Sequence, residues 1–313
     1  MPKVSICIAV YNVEKYIEQC VRSLFEQTLD DVEYVFVDDA SPDSSIDIML
    51  RVLEEYPQRR DQVKLIRHEV NQGVSVTRKD AIAAASGDYI IHCDPDDWVE
   101  LDMYEKMYNQ AICNDLDMFY CNYYTENGVT VEKKEEPCLD KYENILQGFF
   151  YENCFTVLWN KLYRRNIVKE NYIDCDSSLF VAEDVILNCY MLRTCRKVSL
   201  LKEYLYHYNY NINSLSRVLS YKKCISDIKS IKLLEEKITY LSQKQLLIRH
   251  KRRILLDCLK CEDFPIYEWP QIWRDEKKIM IFMKHPWKLK IIFIIALINA
   301  RFARYIWRWV ENK

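Results

Sequence analysis

Carboxylates gather at a few points of this chain in a way that acids scattered over a solvated surface do not. Asp38-Asp39 closes the apolar run Glu33 to Val37, and Asp94-Pro95-Asp96-Asp97 closes the run Tyr89 to Cys93. Glu183-Asp184 opens a helical pattern, and Tyr11-Asn12 closes a further run from Val4 to Val10. Like charges crowded together raise one another's pKa unless a cation sits among them. Mg2+ suits such a place, because it takes one or two carboxylates and completes its shell with substrate phosphates. The pattern points to metal-assisted chemistry on a phosphate-bearing ligand. The plainer alternative, acids that cap the next helix, is the reading we take for Asp43 and Asp47.

These acids need elements that bring them to one rim, and the first 124 residues supply them. Short apolar runs at 4–10, 33–37, 63–67 and 89–93 read as buried strands. Between them lie helical patterns: Val13 to Phe25, a stretch opened by an N-cap at Ser41 with Pro42 at the first helical position and ending near Tyr56, and Val74 to Ala85. A helix over Leu101–Cys113 and a strand over Asp117–Tyr123 follow. Repeated strand–helix units predict an α/β fold, a mostly parallel central sheet flanked by helices on both faces. In such a sheet ligands bind at the carboxyl ends of the strands, which is where the acids lie. Residues 125–140 are polar and read as a hairpin or excursion, and a helix is expected from Glu183 to Cys195. Beyond Ser220 the chain reads as helical, interrupted near Pro265, Pro270 and Pro286.

Composition narrows the classes. Only four residues of 313 are glycine, so neither a dinucleotide fingerprint nor a phosphate-cradling P-loop can be assembled. The net charge of −3 conceals an asymmetry: residues 214–313 hold 22 Lys/Arg against 10 Asp/Glu, and residues 1–213 hold 22 against 37. An acidic body argues against a nucleic-acid partner, since it repels a phosphate backbone. Thirteen cysteines, many in apolar runs, predict free thiols in a reducing compartment. With no signal peptide read at Met1-Pro2-Lys3, the expected location is cytoplasmic. Cys258 and Cys261 form the only close pair, and with no second pair a zinc site is not expected.

Val35-Phe36-Val37-Asp38-Asp39-Ala40-Ser41, Asn71-Gln72-Gly73, Arg78, Gly87-Asp88-Tyr89-Ile90 and Asp94-Pro95-Asp96-Asp97 together resemble glycosyltransferase family 2. That family comprises inverting enzymes of the glycosyltransferase A fold that use nucleotide-diphosphate sugars with Mg2+ or Mn2+. The resemblance covers residues 3–124 in order and weakens towards residue 216. It implies that Val10 and Tyr11 belong to a base-contacting turn, with Tyr11 stacking near the base and Asp39 bonding its edge. Asp94 would contact the ribose, Asp96 the metal, and Arg78 the base or pyrophosphate. Phe180 to Asn188 resembles the family's Glu-Asp segment, which implies Asp184 as general base, and the neighbouring Glu183 would raise its pKa. Tyr206-His207-Tyr208 with Ser214-Leu215-Ser216-Arg217 resembles a segment that closes over the diphosphate. On that reading His207 is a metal or phosphate contact, while a lone histidine between tyrosines is more often structural. Trp159 to Arg165 also resembles the family, without a role for Lys161. Ala40 stands where glycine is common and Lys79 where asparagine usually follows the arginine. His68, His250 and His285 read as surface residues.

The expected organisation is a catalytic domain over 1–215 (donor binding 1–124, acceptor side and base 125–215) and a basic helical extension over 216–313. Lys288, Lys290, Arg301, Arg304 and Arg308 beside Trp287, Trp307 and Trp309 suit a helix lying in a membrane interface. Lys251-Arg252-Arg253 would add to an anionic-lipid patch. The alternative is a helix packed on the catalytic domain or a partner subunit. The expected function is metal-assisted transfer from a UDP-linked or related sugar donor to a glycan or lipid-linked acceptor in surface polysaccharide synthesis. The rivals are a catalytically silent nucleotide-sugar-binding subunit and a nucleotide-sugar pyrophosphorylase, whose Gly-rich loop is absent.

Overall fold

The computed structural model describes residues 1–151, 156–171, 183–210, 218–237, 251, 253–267, 269–273 and 287–311. Two compact units divide the chain, Met1–Asn211 and Ile212–Lys313.

The first unit is built on one sheet. Its strands are β1 (Val4–Val10), β2 (Val32–Asp38), β3 (Val63–Arg67), β4 (Tyr89–His92), β5 (Trp98–Val99), β6 (Met118–Glu126), β7 (Val131–Lys134), β8 (Lys161–Arg164) and β9 (Val198–Asn209). Their order is β3-β2-β1-β4-β8-β6-β9-β5, with β7 paired to β6. β1 runs parallel to β2 and β4, and β2 to β3. These are the expected strands, and β1 and β2 are buried almost throughout because helices cover both faces. Beyond β4 the sheet is mixed rather than mostly parallel. β8 runs antiparallel to β4 and β6, while β9 lies parallel to β6 and antiparallel to β5. β6 and β7 form the expected hairpin.

The helices of this unit are α1 (Ile17–Phe25), α2 (Ser45–Glu55), α3 (Val74–Ala84), α4 (Met103–Cys113), α5 (Ile145–Tyr151), α6 (Arg165–Asn171) and α7 (Glu183–Leu192). α1 turns Ile17, Cys20, Val21, Leu24 and Phe25 into a core that holds Val4, Ile6, Ile8, Tyr34 and Phe36. α2 starts at Ser45, not at Ser41. The reason is local: the Ser41 hydroxyl accepts from Asn12 N at 2.7 Å and donates to Asp43 at 3.1 Å, tying the ends of β1 and β2. Asp43 caps α2 instead, accepting from Ser45 N at 3.1 Å and its hydroxyl at 2.6 Å.

Two glycines are fixed by geometry. A Cβ on Gly87 would lie 2.7 Å from Ser5 N, too close for any side chain where the α3–β4 turn crosses β1. Gly73, at φ +88, is in the left-handed region that glycine occupies freely, and it opens α3. Buried Glu33 pins the same turn, accepting from Ser5 Oγ at 2.6 Å and Ser86 N at 2.8 Å.

In the second unit, the helix Tyr221–Lys237, a helix over 253–260 and the helices Trp287–Ile298 and Ala300–Glu311 enclose a core of their own. It contains Ile228, Ile254, Cys258, Leu259, Phe264, Trp269, Trp273, Ile292, Ala296 and Ala303. Phe180, Val181, Ala182, Ser214 to Arg217, His250, Arg252 and His285 lie outside the described residues.

Candidate active site

The carboxyl ends of β1, β2 and β4 meet at one rim. Val10 is buried and its carbonyl accepts from Asp39 N at 3.0 Å, so the strand ends are stitched together where the chain leaves the sheet. Tyr11, the next residue, is 46% exposed, leaving ring surface for a ligand. Asn12 and Ala40 both adopt positive φ, 56° and 57°. A glycine would be relaxed at position 40, and alanine holds the same turn at the cost of some strain.

Asp39 is buried and already engaged. Its Oδ1 accepts from Gln72 N at 2.7 Å and lies 2.8 Å from His68 Nδ1, and its Oδ2 accepts from Gly73 N at 2.8 Å. Two bonds lock Asp39 to the turn that opens α3 and a third ties it to His68, and the base-edge role keeps only its remaining acceptor capacity. His68 is not the surface residue expected from its neighbours. Its side chain is 5% exposed and its Nε2 lies 3.0 Å from Asp80. Burial works against its charged form, but Asp39 and Asp80 outweigh it and hold the pKa above the usual histidine value. Asp38 is turned to Ser41 N at 2.9 Å, a turn-forming role.

The Asp94–Asp97 turn is held from β9. Asp94 N donates to the Tyr206 hydroxyl at 3.1 Å, which donates to Asp97 Oδ2 at 2.7 Å, and Asn209 N donates to Asp97 Oδ1 at 2.8 Å. Trp159 stacks on Tyr206 at 4.2 Å and Tyr208 at 5.6 Å. Asp97 is therefore a buried anchor, and Asp94 and Asp96 are the carboxylates left for a ligand. Burial, and then the charge of Asp94, pushes Asp96 up to about 6. A carboxylate held in this way is stabilised by a bound cation. No cluster of three or more ligating side chains occurs among the described residues.

Arg78, on α3, joins this turn to α7. Its Nη2 donates to Asp94 at 2.9 Å and its Nη1 pairs with Glu183. The guanidinium bridges the Asp94 turn and the Glu-Asp pair. Burial, and then the charge of Glu183, pushes Asp184 up to about 7 against the opposing charge of Arg78. A carboxylate of that pKa can take a proton near neutrality. α7 is rooted by Asn188, whose Nδ2 donates to the Thr156 carbonyl at 2.5 Å and whose Oδ1 accepts from Tyr163 at 2.7 Å. Behind Arg78, His92 is buried and neutral, driven down to about 3 by burial and then by Arg78.

His207 does not join the Asp94–Asp96 carboxylates, contrary to the expected metal or phosphate contact. Its Nδ1 lies 2.5 Å from Glu126 and its Nε2 2.9 Å from Glu100. Its ring is stacked between Trp98 at 3.4 Å and Tyr124 at 4.5 Å. Both ring nitrogens are engaged by carboxylates, Glu126 and Glu100. Lys161 is likewise structural. It is 1% exposed and donates to the Val157 carbonyl at 3.0 Å and Asn160 Oδ1 at 2.8 Å, close to buried Glu136. Tyr206 and Asn188 lie in stretches the sequence marked but carry there no role of their own, and His68 reads as a surface residue; all three carry the site's geometry.

A β-α-β half with an aromatic and a carboxylate rim, continued by a mixed half that carries an acidic helix start, is the plan of a glycosyltransferase A enzyme. Residues 5–171 match the profile of Glycosyl transferase family 2, and the chain belongs to that family. It is a glycosyltransferase. Among curated relatives it is 32% identical over 260 residues to the putative glycosyltransferase EpsH of Bacillus subtilis, covering 81% of this chain and 73% of that one. It is also 32% identical over 213 residues to the poly(ribitol-phosphate) beta-glucosyltransferase of Bacillus spizizenii, covering 66% of this chain but 32% of that protein. The fold is that of S. aureus TarS 1-349 in complex with UDP-GlcNAc, with a TM-score of 0.70 at 20% identity, covering 98% of this chain and 92% of that one.

Proposed function

We propose that this glycosyltransferase moves a sugar from a UDP-linked donor to a glycan or lipid-linked acceptor in surface polysaccharide synthesis, with inversion at the transferred carbon. The observation that supports the reading is the Asp94–Arg78–Glu183 bridge, with the neighbouring Asp184 close enough to feel the charges of Arg78 and Asp94. Asp184 takes the proton of the acceptor hydroxyl as it attacks. One displacement needs one base and no enzyme nucleophile, which accounts for inversion. Tyr11 offers an exposed ring to the base, and Asp39 and the Gln72-Gly73 turn shape the pocket around it. Asp94 receives the ribose, and Asp96 would hold Mg2+ or Mn2+, which would supply electrostatic stabilisation to the departing diphosphate. A relative acting on poly(ribitol phosphate) and a fold neighbour holding UDP-GlcNAc support the donor and acceptor classes.

The test is hydrolysis and transfer with a panel of nucleotide sugars, with and without Mn2+, on wild type, Asp96→Ala and Asp184→Asn. The expected result is turnover of one or a few UDP-sugars that depends on the cation and is lost in both variants. Binding without turnover in all three proteins would leave the silent nucleotide-sugar-binding subunit as the reading. The acceptor class also implies work at a membrane's cytoplasmic surface.

A further inference from the structure

The helices Trp287–Ile298 and Ala300–Glu311 carry large apolar side chains on the outer side as well as on the inner side, where Ile295, Leu297, Ile306 and Trp307 pack against the core. A helix on a water-soluble unit buries its large apolar residues and exposes polar ones. Here the residues turned into the unit's core include Ala296, Ala300 and Ala303 with Ile292, packed among Cys258, Leu259, Phe264 and Trp269. The outward residues are Ile291, Ile294, Ile298, Phe302 and Tyr305, from 43% to 82% exposed. Their spacing is helical, so they form one continuous apolar stripe over two helices.

We propose that this stripe is the seat of an anionic lipid surface. Charge selects that occupant. Residues 287–313 contain one acid and six Lys/Arg, of which Arg304 is turned inward, and Arg301 is exposed beside Phe302. A second copy would set two such cationic stretches against each other, whereas an anionic headgroup layer neutralises them. Arg304 fixes the second helix from below, donating to the carbonyls of Leu259 at 2.8 Å, Cys258 at 3.3 Å and Phe264 at 3.3 Å. The stripe is thus presented by a helix anchored on its inner side. No described helix is long and apolar enough to cross a membrane, and each of these two is 12 residues. The geometry is that of an element lying in the interface with its apolar face down. The proposal gives the lipid-linked acceptor of the preceding section a surface, but lipid binding does not depend on that reading.

The test is flotation of the full chain with vesicles of phosphatidylcholine plus phosphatidylglycerol, and with phosphatidylcholine alone. The expected result is binding to the anionic vesicles that weakens with salt. Arg301→Glu should reduce it several-fold, and Ile298→Glu/Phe302→Glu should abolish it. Both variants change exposed residues, and their melting temperatures and vesicle-free hydrolysis of the donor should match wild type. No flotation of the wild type, or equal flotation of wild type and the double variant, overturns the proposal. So does a wild-type dimer that the double variant dissociates without any vesicle binding, since the stripe would then be a subunit contact. Flotation that behaves as expected in a protein that turns over no sugar nucleotide would refute the proposed reaction and leave the lipid surface standing.

Discussion

Arg78 donates to Asp94 at 2.9 Å across sixteen residues of sequence, and the other arm of the same guanidinium holds Glu183. A helix after β3 thereby couples the turn after β4 to the start of α7. Arg78→Ala leaves Asp94, Glu183 and Asp184 facing one another without a cation. Removing one partner of a buried pair costs about 3 kcal/mol or more. The expected outcome is a lower melting temperature and a fall of about 10²-fold in kcat/KM, the scale on which misplaced catalytic groups act. Arg78→Lys keeps the charge but cannot reach both carboxylates in fork geometry, so it should fall between the two. Thermal melts with donor-hydrolysis kinetics check this.

Asp184 sets a pH dependence. With its carboxyl pushed up to about 7, the base form appears only as pH passes that value, so kcat/KM should climb through pH 7 and level off above it. Asp184→Asn should lose about 10²–10⁴-fold, the range of general base catalysis. The same raised pKa has a sign for stability. The folded protein holds this proton where the unfolded chain, at about 3.8, has released it. The contribution is fully present below that value and is lost as pH rises through about 7. Melting temperature against pH should therefore slope downward over that window in the metal-free protein, and less steeply in Asp184→Asn.

His68 acts through Asp39. Bridging Asp39 and Asp80, it orients the carboxylate that holds the Gln72-Gly73 turn. His68→Ala should raise the KM for the donor about tenfold, with kcat close to wild type, because the chemistry at Asp184 is untouched. His68→Gln, whose amide can still donate to Asp39, should recover part of the loss. The raised histidine pKa implies stability fully present below about pH 6.5 and lost as pH rises through the higher folded value. Donor KM and pH-dependent melts of the two variants separate positioning from simple destabilisation, which would lower kcat and KM-independent yield alike.

The first half of the sheet could be read from the chain because β1, β2 and β4 are buried runs and the turns carry their own punctuation. Gly87 is an example: the turn needs a residue with no Cβ against Ser5, and the sequence supplies one of its four glycines there. The second half was not legible in the same way. β8 is four residues long, and β9 passes through half-buried and exposed positions, so neither shows a clean period. His68 sits between Arg67 and Glu69, and its burial comes from acids 29 and 12 residues away in sequence. His207 reads in sequence as a lone histidine between tyrosines, but the aromatic stack that defines it comes from Trp98 and Tyr124 on other strands. Local pattern marked the carboxylates of the site; the groups that aim them come from tertiary pairing.

Tyr206 is the sharpest case of such a group. Its hydroxyl accepts from Asp94 N and donates to Asp97, so one oxygen fixes both ends of the turn that carries Asp96. Tyr206→Phe keeps the ring on Trp159 and removes only that oxygen. Asp94 N loses its acceptor, and Asp97, already pushed up by burial and by Asp96 and Asp94, loses the donor that opposes the shift. Leaving such groups without partners costs about 1–3 kcal/mol. The turn then relaxes, and the expected result is a higher Mn2+ concentration for half-maximal activity and a raised donor KM. Asp184 should still titrate near pH 7 in the rate profile. Titrating Mn2+ against donor hydrolysis in wild type and Tyr206→Phe decides it. A variant that melts lower but needs no more metal would make Tyr206 a core residue and no more.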